Sequence, residues 1–210
     1  MIRLATVGTG WIVGEFLKGV REAGGICYTA CYSRDQQRGE AFAEEWGAQK
    51  VYTDLAQMAA DEEIDAVYIA SPNRLHYEQS KLFLQHGKHV ICEKPITVEP
   101  EELQELQELA QQKNLIYIEA LIGVYLPQMK VLQGAVERLG PVHLARFDFS
   151  QYSSKYPAYL RGELPNIFNP QMATGGWMAL GIYCLYPAIM LFGVPDHVHA
   201  HARFLSTGAD

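Results

Sequence analysis

The chain has 210 residues, 49% apolar and 20% charged, with a formal net charge of −7. This is an ordinary globular composition, with room for one sizeable domain or for a small domain plus part of another. The negative balance and the lack of any basic run argue against nucleic acid and anionic membrane as partners.

Residues 2–8 (IRLATVG) read as a strand, and the segment after Gly10 as a helix. Arg3 and Gly8 interrupt the apolar stretch, so no secretory leader is read here. A second strand, GICYTACYS, precedes the helix QQRGEAFAEEWG, which Gly47 closes. KVYT is a short third strand, and Asp54 caps the helix DLAQMAADEE. The strand IDAVYIASP, the helix RLHYEQSKLFLQHG and the strand HVICEKP follow. A helix over 100–114 opens with Pro100 in its first turn, and LIYIEAL closes the series as a sixth strand. These strands are continuous and β-branched rather than alternating, the signature of a parallel sheet covered on both faces. Right-handed crossovers make it a doubly wound α/β sheet.

The pattern changes near residue 122. A helix, LPQMKVLQGAVERLG, leads into PVHLARFDFSQYSS, which alternates like a half-exposed antiparallel strand. A polar, proline-dotted stretch follows. Next come the apolar helix WMALGIYCLYPAIMLFG and a closing strand, HVHAHARF. That apolar helix is broken by Gly181 and Pro187 and is short for a bilayer span. The expected organisation is a Rossmann domain over 1–121 and an incomplete α+β domain over 122–210. The four cysteines form no CxxC pair and no metal spacing with histidine. Cys27 and Cys31 lie on one strand, roughly 13 Å apart at about 3.3 Å per residue, too far for a disulfide. Reduced core cysteines and a cytoplasmic location are expected, with no metal site.

Four stretches carry candidate chemistry. In VGTGWIVG, Gly8 permits a tight turn, Gly10 lets the backbone approach a pyrophosphate, and the helix start offers amides to that anion. Trp11 and Ile12 fall on that helix start. The third fingerprint glycine is due at position 13, where the chain has Val13, and Gly14 is out of register. A mere tight turn is the plainer alternative. After the second strand, where an acid would bind the ribose of NAD, the chain has Ser33, Arg34 and Arg38. Arginine's planar, permanently charged fork suits a phosphate and favours NADP. A solvated surface pair is the alternative, and Asp35 next door weakens the preference. After the fourth strand come Ala70, Ser71, Pro72 and Asn73, on the edge where ligands bind in open α/β sheets. Asn73 reads equally as a helix N-cap, and His76 as facing the site or lying on the first helical turn. Glu93, Lys94 and Pro95 end the fifth strand on the same edge. A lysine held there could polarise a substrate hydroxyl or lower the pKa of a neighbouring acid. A strand that simply surfaces with a solvated ion pair explains it as well.

Together, VGTGWI, YSRDQQRGEAFAEEWG, DAVYIASPNRLHYEQS, GKHVICEKPIT and GGWMALGIYCLYPAIMLFGVP resemble the glucose–fructose oxidoreductase and inositol dehydrogenase family, Gfo/Idh/MocA. The Ser-Arg-x-x-x-Arg run and a Gly-x-Tyr are most similar to the dimeric dihydrodiol dehydrogenase type. The resemblance implies NADP(H), with NAD possible, and a hydroxyl-bearing sugar, polyol or cyclic diol as substrate. It also implies a homo-oligomer formed through the second domain's sheet where that sheet is complete. Lys94 is then the active-site lysine and Tyr183 the proton-exchanging residue. Gly8, Gly10, Trp11 and Ile12 would hold the pyrophosphate, and Ser33, Arg34 and Arg38 the 2′-phosphate. Ala70, Ser71, Pro72, Asn73 and His76 would line the dinucleotide, with Glu93 and Lys94 at the nicotinamide ribose. The chain departs from the pattern at Ala179, where an aspartate is usual one helical turn before Tyr183. It departs again at Val13, and in length, since members typically run over a hundred residues further. A non-catalytic dinucleotide-binding paralogue is the rival expectation.

Overall fold

The computed structural model describes residues 1–210 and packs as two compact units, Met1–Ala120 and Leu121–Asp210. The first unit alternates strands and helices throughout: β1 (Ile2–Val7), α1 (Trp11–Ala23), β2 (Ile26–Tyr32), α2 (Gln36–Trp46), β3 (Lys50–Tyr52) and α3 (Leu55–Ala60). It continues with β4 (Ala66–Ile69), α4 (His76–Gln85), β5 (His89–Cys92), α5 (Pro100–Gln112) and β6 (Tyr117–Glu119). The six strands form one sheet in the order β3-β2-β1-β4-β5-β6, every pair parallel. This is the doubly wound order whose strand sequence reverses between β1 and β4.

Apolar side chains leave both faces of the sheet, as continuous β-branched strands require. On one face Val7, Val67, Ile69 and Val90 pack with Met58, Phe83, Leu84 and Leu106 from α3, α4 and α5. On the other, Leu4, Cys31 and Tyr68 pack with Val13, Leu17 and Val20 of α1 and Phe42 of α2. Helix ends are set locally. Asp54 accepts from the amides of Ala56 and Gln57 at the start of α3, and Glu99 with Glu102 forms a capping box ahead of Pro100. α3 is shorter than its sequence pattern. The Asp61 carboxylate stops it by taking Lys50 Nζ, Tyr52 Oη and the Glu63 amide instead of a helical role. The four cysteines are free thiols.

The register aligns the functional edge. Val7 pairs with Tyr32 and Ile69, and Ile69 with Cys92, which pairs with Glu119. The residues that follow make the last ladder bonds: Gly8 N to Tyr32 O, Ala70 N to Val7 O, Glu93 N to Ile69 O and Ala120 N to Cys92 O. Gly8, Ser33, Ala70 and Glu93 therefore emerge side by side at the carboxyl edge.

The second unit holds α6 (Ile122–Tyr125), α7 (Pro127–Leu139), α8 (Tyr156–Leu160) and α9 (Ile182–Phe192), with short 3₁₀ turns between. Here the structure corrects the sequence reading. Neither 141–150 nor 197–204 forms a strand. Alternation alone makes no strand: its amides need a ladder neighbour, and neither segment pairs with the other. Leu121, Phe168 and Ala209 are the unit's buried apolar side chains. Tyr152, Tyr156, Tyr159 and Phe168 pack ring against ring. The run Pro170–Phe192 reaches the length and apolarity of a bilayer span, with a mean hydropathy of 1.5. Its helix is interrupted, however. Ala173 has φ 51°, and the continuous part begins with the π-helical turn Trp177–Gly181 and ends at Phe192. That part is about 24 Å long at about 1.5 Å per residue, less than the roughly 30 Å of a hydrocarbon core.

Candidate dinucleotide and lysine site

The site starts with one backbone angle. Gly8 has φ +113°, and a Cβ there would lie 3.0 Å from Ala70 O. Only glycine lets β1 turn this sharply against the end of β4. A side chain at Gly10 would meet nothing within 4 Å. Gly10 caps α1 without a side-chain acceptor, so the helix start presents its amides across an open approach. Gly14 has a different use. A Cβ there would come within 2.8 Å of Trp46 Cζ2, so Gly14 lets α1 lie close against α2. Val13 is fully buried in the α1-side core, where its side chain fills space without closing the turn.

A cleft of about 560 Å³ opens over this turn. Gly8, Gly10, Ser33, Arg34, Arg38, Ala70, Ser71 and Pro72 line it, with Thr9, Tyr32, Asp35, Leu75 and Gln79. Sequence reading missed Gln79, which accepts a 2.7 Å hydrogen bond from Ser71 Oγ and so fixes the loop after β4. Helical spacing from Asn73 was the only available signal for it. Arg34 and Arg38 are exposed at the cleft wall. Arg38 lies in the first turn of α2, and its Nη2 donates to Thr9 O at 3.3 Å, over the glycine turn. The Asp35 carboxylate is turned away to cap α2, accepting the Arg38 amide at 2.9 Å. Ser33 is buried, and its Oγ accepts the Asp35 amide.

Several expected residues lie outside this cleft. Trp11 is 78% exposed, and Ile12 packs on the α1-side core. Asn73 is not an N-cap: it begins a 3₁₀ turn, Asn73–Leu75, that leads into α4. His76 does not face the cleft. It is wholly buried, with Nδ1 2.8 Å from Pro95 O and Nε2 2.9 Å from Ser71 O. It ties the loop after β4 to the loop after β5 and has no nitrogen left for a ligand.

Glu93 and Lys94 form a second group one strand further along. Phe16 of α1 stacks on Tyr68 of β4, with centroids 3.8 Å apart. Tyr68 Oη donates to Glu93 Oε1 at 2.6 Å, and the Lys94 amide donates to Glu93 Oε2 at 3.2 Å. The Lys94–Pro95 peptide is cis. From β6, Glu119 Oε1 accepts the Ile96 amide at 2.8 Å. Burial holds the Lys94 ammonium below the ordinary lysine range, while Glu93 and Glu119 pull it back up. Burial likewise raises the Glu119 carboxyl, against the Ile96 amide and Lys94. The outcome is a partly desolvated cation whose charge two carboxylates support, at the carboxyl edge of the sheet. An acid ending an apolar strand was the signal that found Glu93. The same signal stood at Glu119 and went unused.

In the second unit, Tyr183 lies near the start of α9, its ring 5.4 Å from that of Phe149. Ala179 lies one turn earlier, within the π-helical turn, and its amide donates to Gly175 O. Arg161 is paired with Glu163 at 2.7 Å.

A family model described as an oxidoreductase family with an NAD-binding Rossmann fold matches residues 2–121. The chain belongs to the Gfo/Idh/MocA family. It is 41% identical over 210 residues to the scyllo-inositol 2-dehydrogenase (NADP(+)) of Bacillus subtilis, covering all of this chain and 64% of that protein. It is 30% identical over 185 residues to the trans-1,2-dihydrobenzene-1,2-diol dehydrogenase of mouse, covering 86% of this chain and 53% of that one. The chain thus spans just over half to about two thirds of the length of these relatives. Among solved structures, the fold is similar to biliverdin reductase of Synechocystis, with a TM-score of 0.79 at 22% identity over 93% of this chain and 60% of that one. It is also similar to the 3-ketoreductase KijD10 of Actinomadura kijaniata, with a TM-score of 0.77 at 23% identity over 91% and 57%.

Proposed function

We propose that the protein is an NADP(H)-dependent dehydrogenase acting on a hydroxyl-bearing carbon of a sugar, polyol or cyclic diol, with residues 1–121 binding the dinucleotide and 122–210 contributing to the substrate side. The observation that carries this reading is the cleft wall. Two permanently charged arginines border it, and the one nearby carboxylate, Asp35, is occupied by the α2 amide of Arg38. An extra phosphate on the adenosine ribose finds two cations there against one carboxylate, which faces the α2 amide. The glycine turn suits the rest of the dinucleotide, since a side chain at Gly8 would strike Ala70 and one at Gly10 would occupy open space. The amides at the start of α1 suit the pyrophosphate. The activities that name the B. subtilis and mouse relatives support a cyclic polyol or diol as the first substrates to screen.

When bound, the nicotinamide would supply or accept the hydride. The chain's own residues would then manage charge on the substrate oxygen. Lys94, shielded from water and flanked by carboxylates, would donate a hydrogen bond to that oxygen and stabilise negative charge on it. Tyr183 would exchange the hydroxyl proton. Lys94→Met and Tyr183→Phe are expected to lower turnover at least a hundredfold, with NADPH affinity in Tyr183→Phe kept within about threefold. Full turnover in either variant would refute the assignment. A second reading, a dinucleotide-binding protein without catalysis, is favoured by Ala179. It predicts NADPH binding without turnover of any polyol, and no recovery in Ala179→Asp.

A further inference from the structure

Two carboxylates act on the Lys94 charge, and only Glu93 belongs to the strand-end motif of β5. The other, Glu119, arrives from β6. Its Cα is paired in register with that of Cys92, so its side chain starts one residue below the level of Glu93 on the adjacent strand. Glu119 Oε1 holds the Ile96 amide at 2.8 Å, two residues beyond the lysine. From the other side, His76 Nδ1 meets Pro95 O at 2.8 Å. The turn Lys94–Pro95–Ile96 is therefore gripped from α4 and from β6, and the β6 grip alone brings a carboxylate.

We propose that Glu119 is a positioning residue for Lys94: its carboxylate anchors the turn at Ile96 and supplies the second negative charge beside the ammonium. This rests on the reading of Lys94 as the residue that meets substrate. The charged or titratable groups facing Lys94 are Glu93 from the end of β5, Glu119 from β6 and the His76 ring from α4. A lysine moved out of water tends to shed its proton. Two carboxylates oppose that, and the retained proton is what lets the residue donate to a substrate oxygen. A purely structural staple would need only the Ile96 bond, which an uncharged amide supplies equally well.

The test separates charge from anchorage. Trace labelling of the full chain with acetic anhydride across a pH series, read by mass spectrometry on the Lys94 peptide, gives the lysine's protonation midpoint. Glu119→Gln keeps an acceptor for Ile96 and removes the charge. Its midpoint is expected to fall by about one pH unit or more, which makes Lys94 about tenfold more reactive below the midpoint. Glu119→Asp keeps the charge and shortens the reach. It is expected to hold the midpoint while speeding hydrogen exchange of the Ile96 amide. Superimposable labelling curves for wild type and Glu119→Gln would overturn the electrostatic role, and an unchanged Ile96 amide in Glu119→Asp would overturn the anchoring role. Neither readout uses turnover. A failed reading of Lys94 as the residue that meets substrate would show instead as undiminished turnover in Lys94→Met, and a failed dehydrogenase reading as no turnover in the wild type.

Discussion

His76→Phe tests how the two halves of the candidate site are tied together. The phenyl ring keeps most of the volume of the imidazole, so little cavity forms, but both ring nitrogens are lost. His76 is wholly buried between Pro95 O and Ser71 O. Both partners are acceptors, so a neutral ring, with one N–H, donates to one of them. Removing that donor leaves a buried carbonyl without its partner, which costs about 1–3 kcal/mol. Urea unfolding at pH 7.5, followed by far-ultraviolet circular dichroism, is expected to show a loss of that size. The pH dependence gives an independent check. Burial holds the His76 pKa below the ordinary histidine value, opposed by the two carbonyls and Glu93 and assisted by Lys94. Between that lowered value and about 6.5 the unfolded chain binds more protons than the folded one, so wild-type stability falls as pH drops through this window. His76→Phe has no such proton to take up. The gap between wild type and variant must therefore narrow on acidification. A loss under about 0.5 kcal/mol, or a gap that widens at low pH, would refute the reasoning.

Other outcomes follow from the same structure. Gly14→Ala pushes a methyl to 2.8 Å from Trp46 Cζ2. It is expected to lower stability by about 1–3 kcal/mol and to shift tryptophan emission as the indole, stacked under Arg21, is displaced. At the opposite edge of the sheet, hydrogen bonds from Arg3 hold Asp65 at about 2, burial opposing them. For Asp61, burial pushes upward, but Lys50, Tyr52 and the Glu63 amide hold it at about 2 as well. Both are lowered from 3.8, so the stability they supply is intact above about pH 4 and is lost as pH falls through about 2. Asp65→Asn should flatten the acid-unfolding curve in that window. The effect is expected to be smaller than the shift alone suggests, because the pair is partly exposed and screened by solvent.

The Rossmann half was legible because local and global signals agree there. Runs such as IDAVYIA, short, apolar and bounded by turn residues, read as strands buried on both faces, and Asp54, Pro100 and Gly47 mark helix ends by short-range chemistry alone. Once strand ends are known, a parallel sheet puts them all on one edge, so Gly8, Ser33, Ala70 and Glu93 could be grouped before any coordinates. Direction was not legible. His76 lies on the first turn of α4, and sequence cannot tell a ring aimed into the cleft from one turned beneath it. Asp35 read only as a rival to Arg34 and Arg38, and its role as the cap of α2, with the carboxylate facing the Arg38 amide, was not legible. Gly14 looked like a misplaced fingerprint glycine, because its partner Trp46 is 32 residues away on another helix. In the second unit, PVHLARFDFSQYSS and HVHAHARF alternate as strands do, yet pairing depends on neighbours far along the chain. Neither segment finds one.

The central claim is that the cleft above Gly8 selects the dinucleotide carrying the extra phosphate, through Arg34 and Arg38. The most direct measurement is a fluorescence titration of the full chain with NADPH and with NADH, repeated in Arg34→Ala/Arg38→Ala. Charge-assisted hydrogen bonds of about 1.5–3 kcal/mol predict NADPH binding at least tenfold tighter than NADH in the wild type, and that preference lost in the double variant with NADH binding unchanged. Equal binding of the two dinucleotides by the wild-type chain would contradict the account.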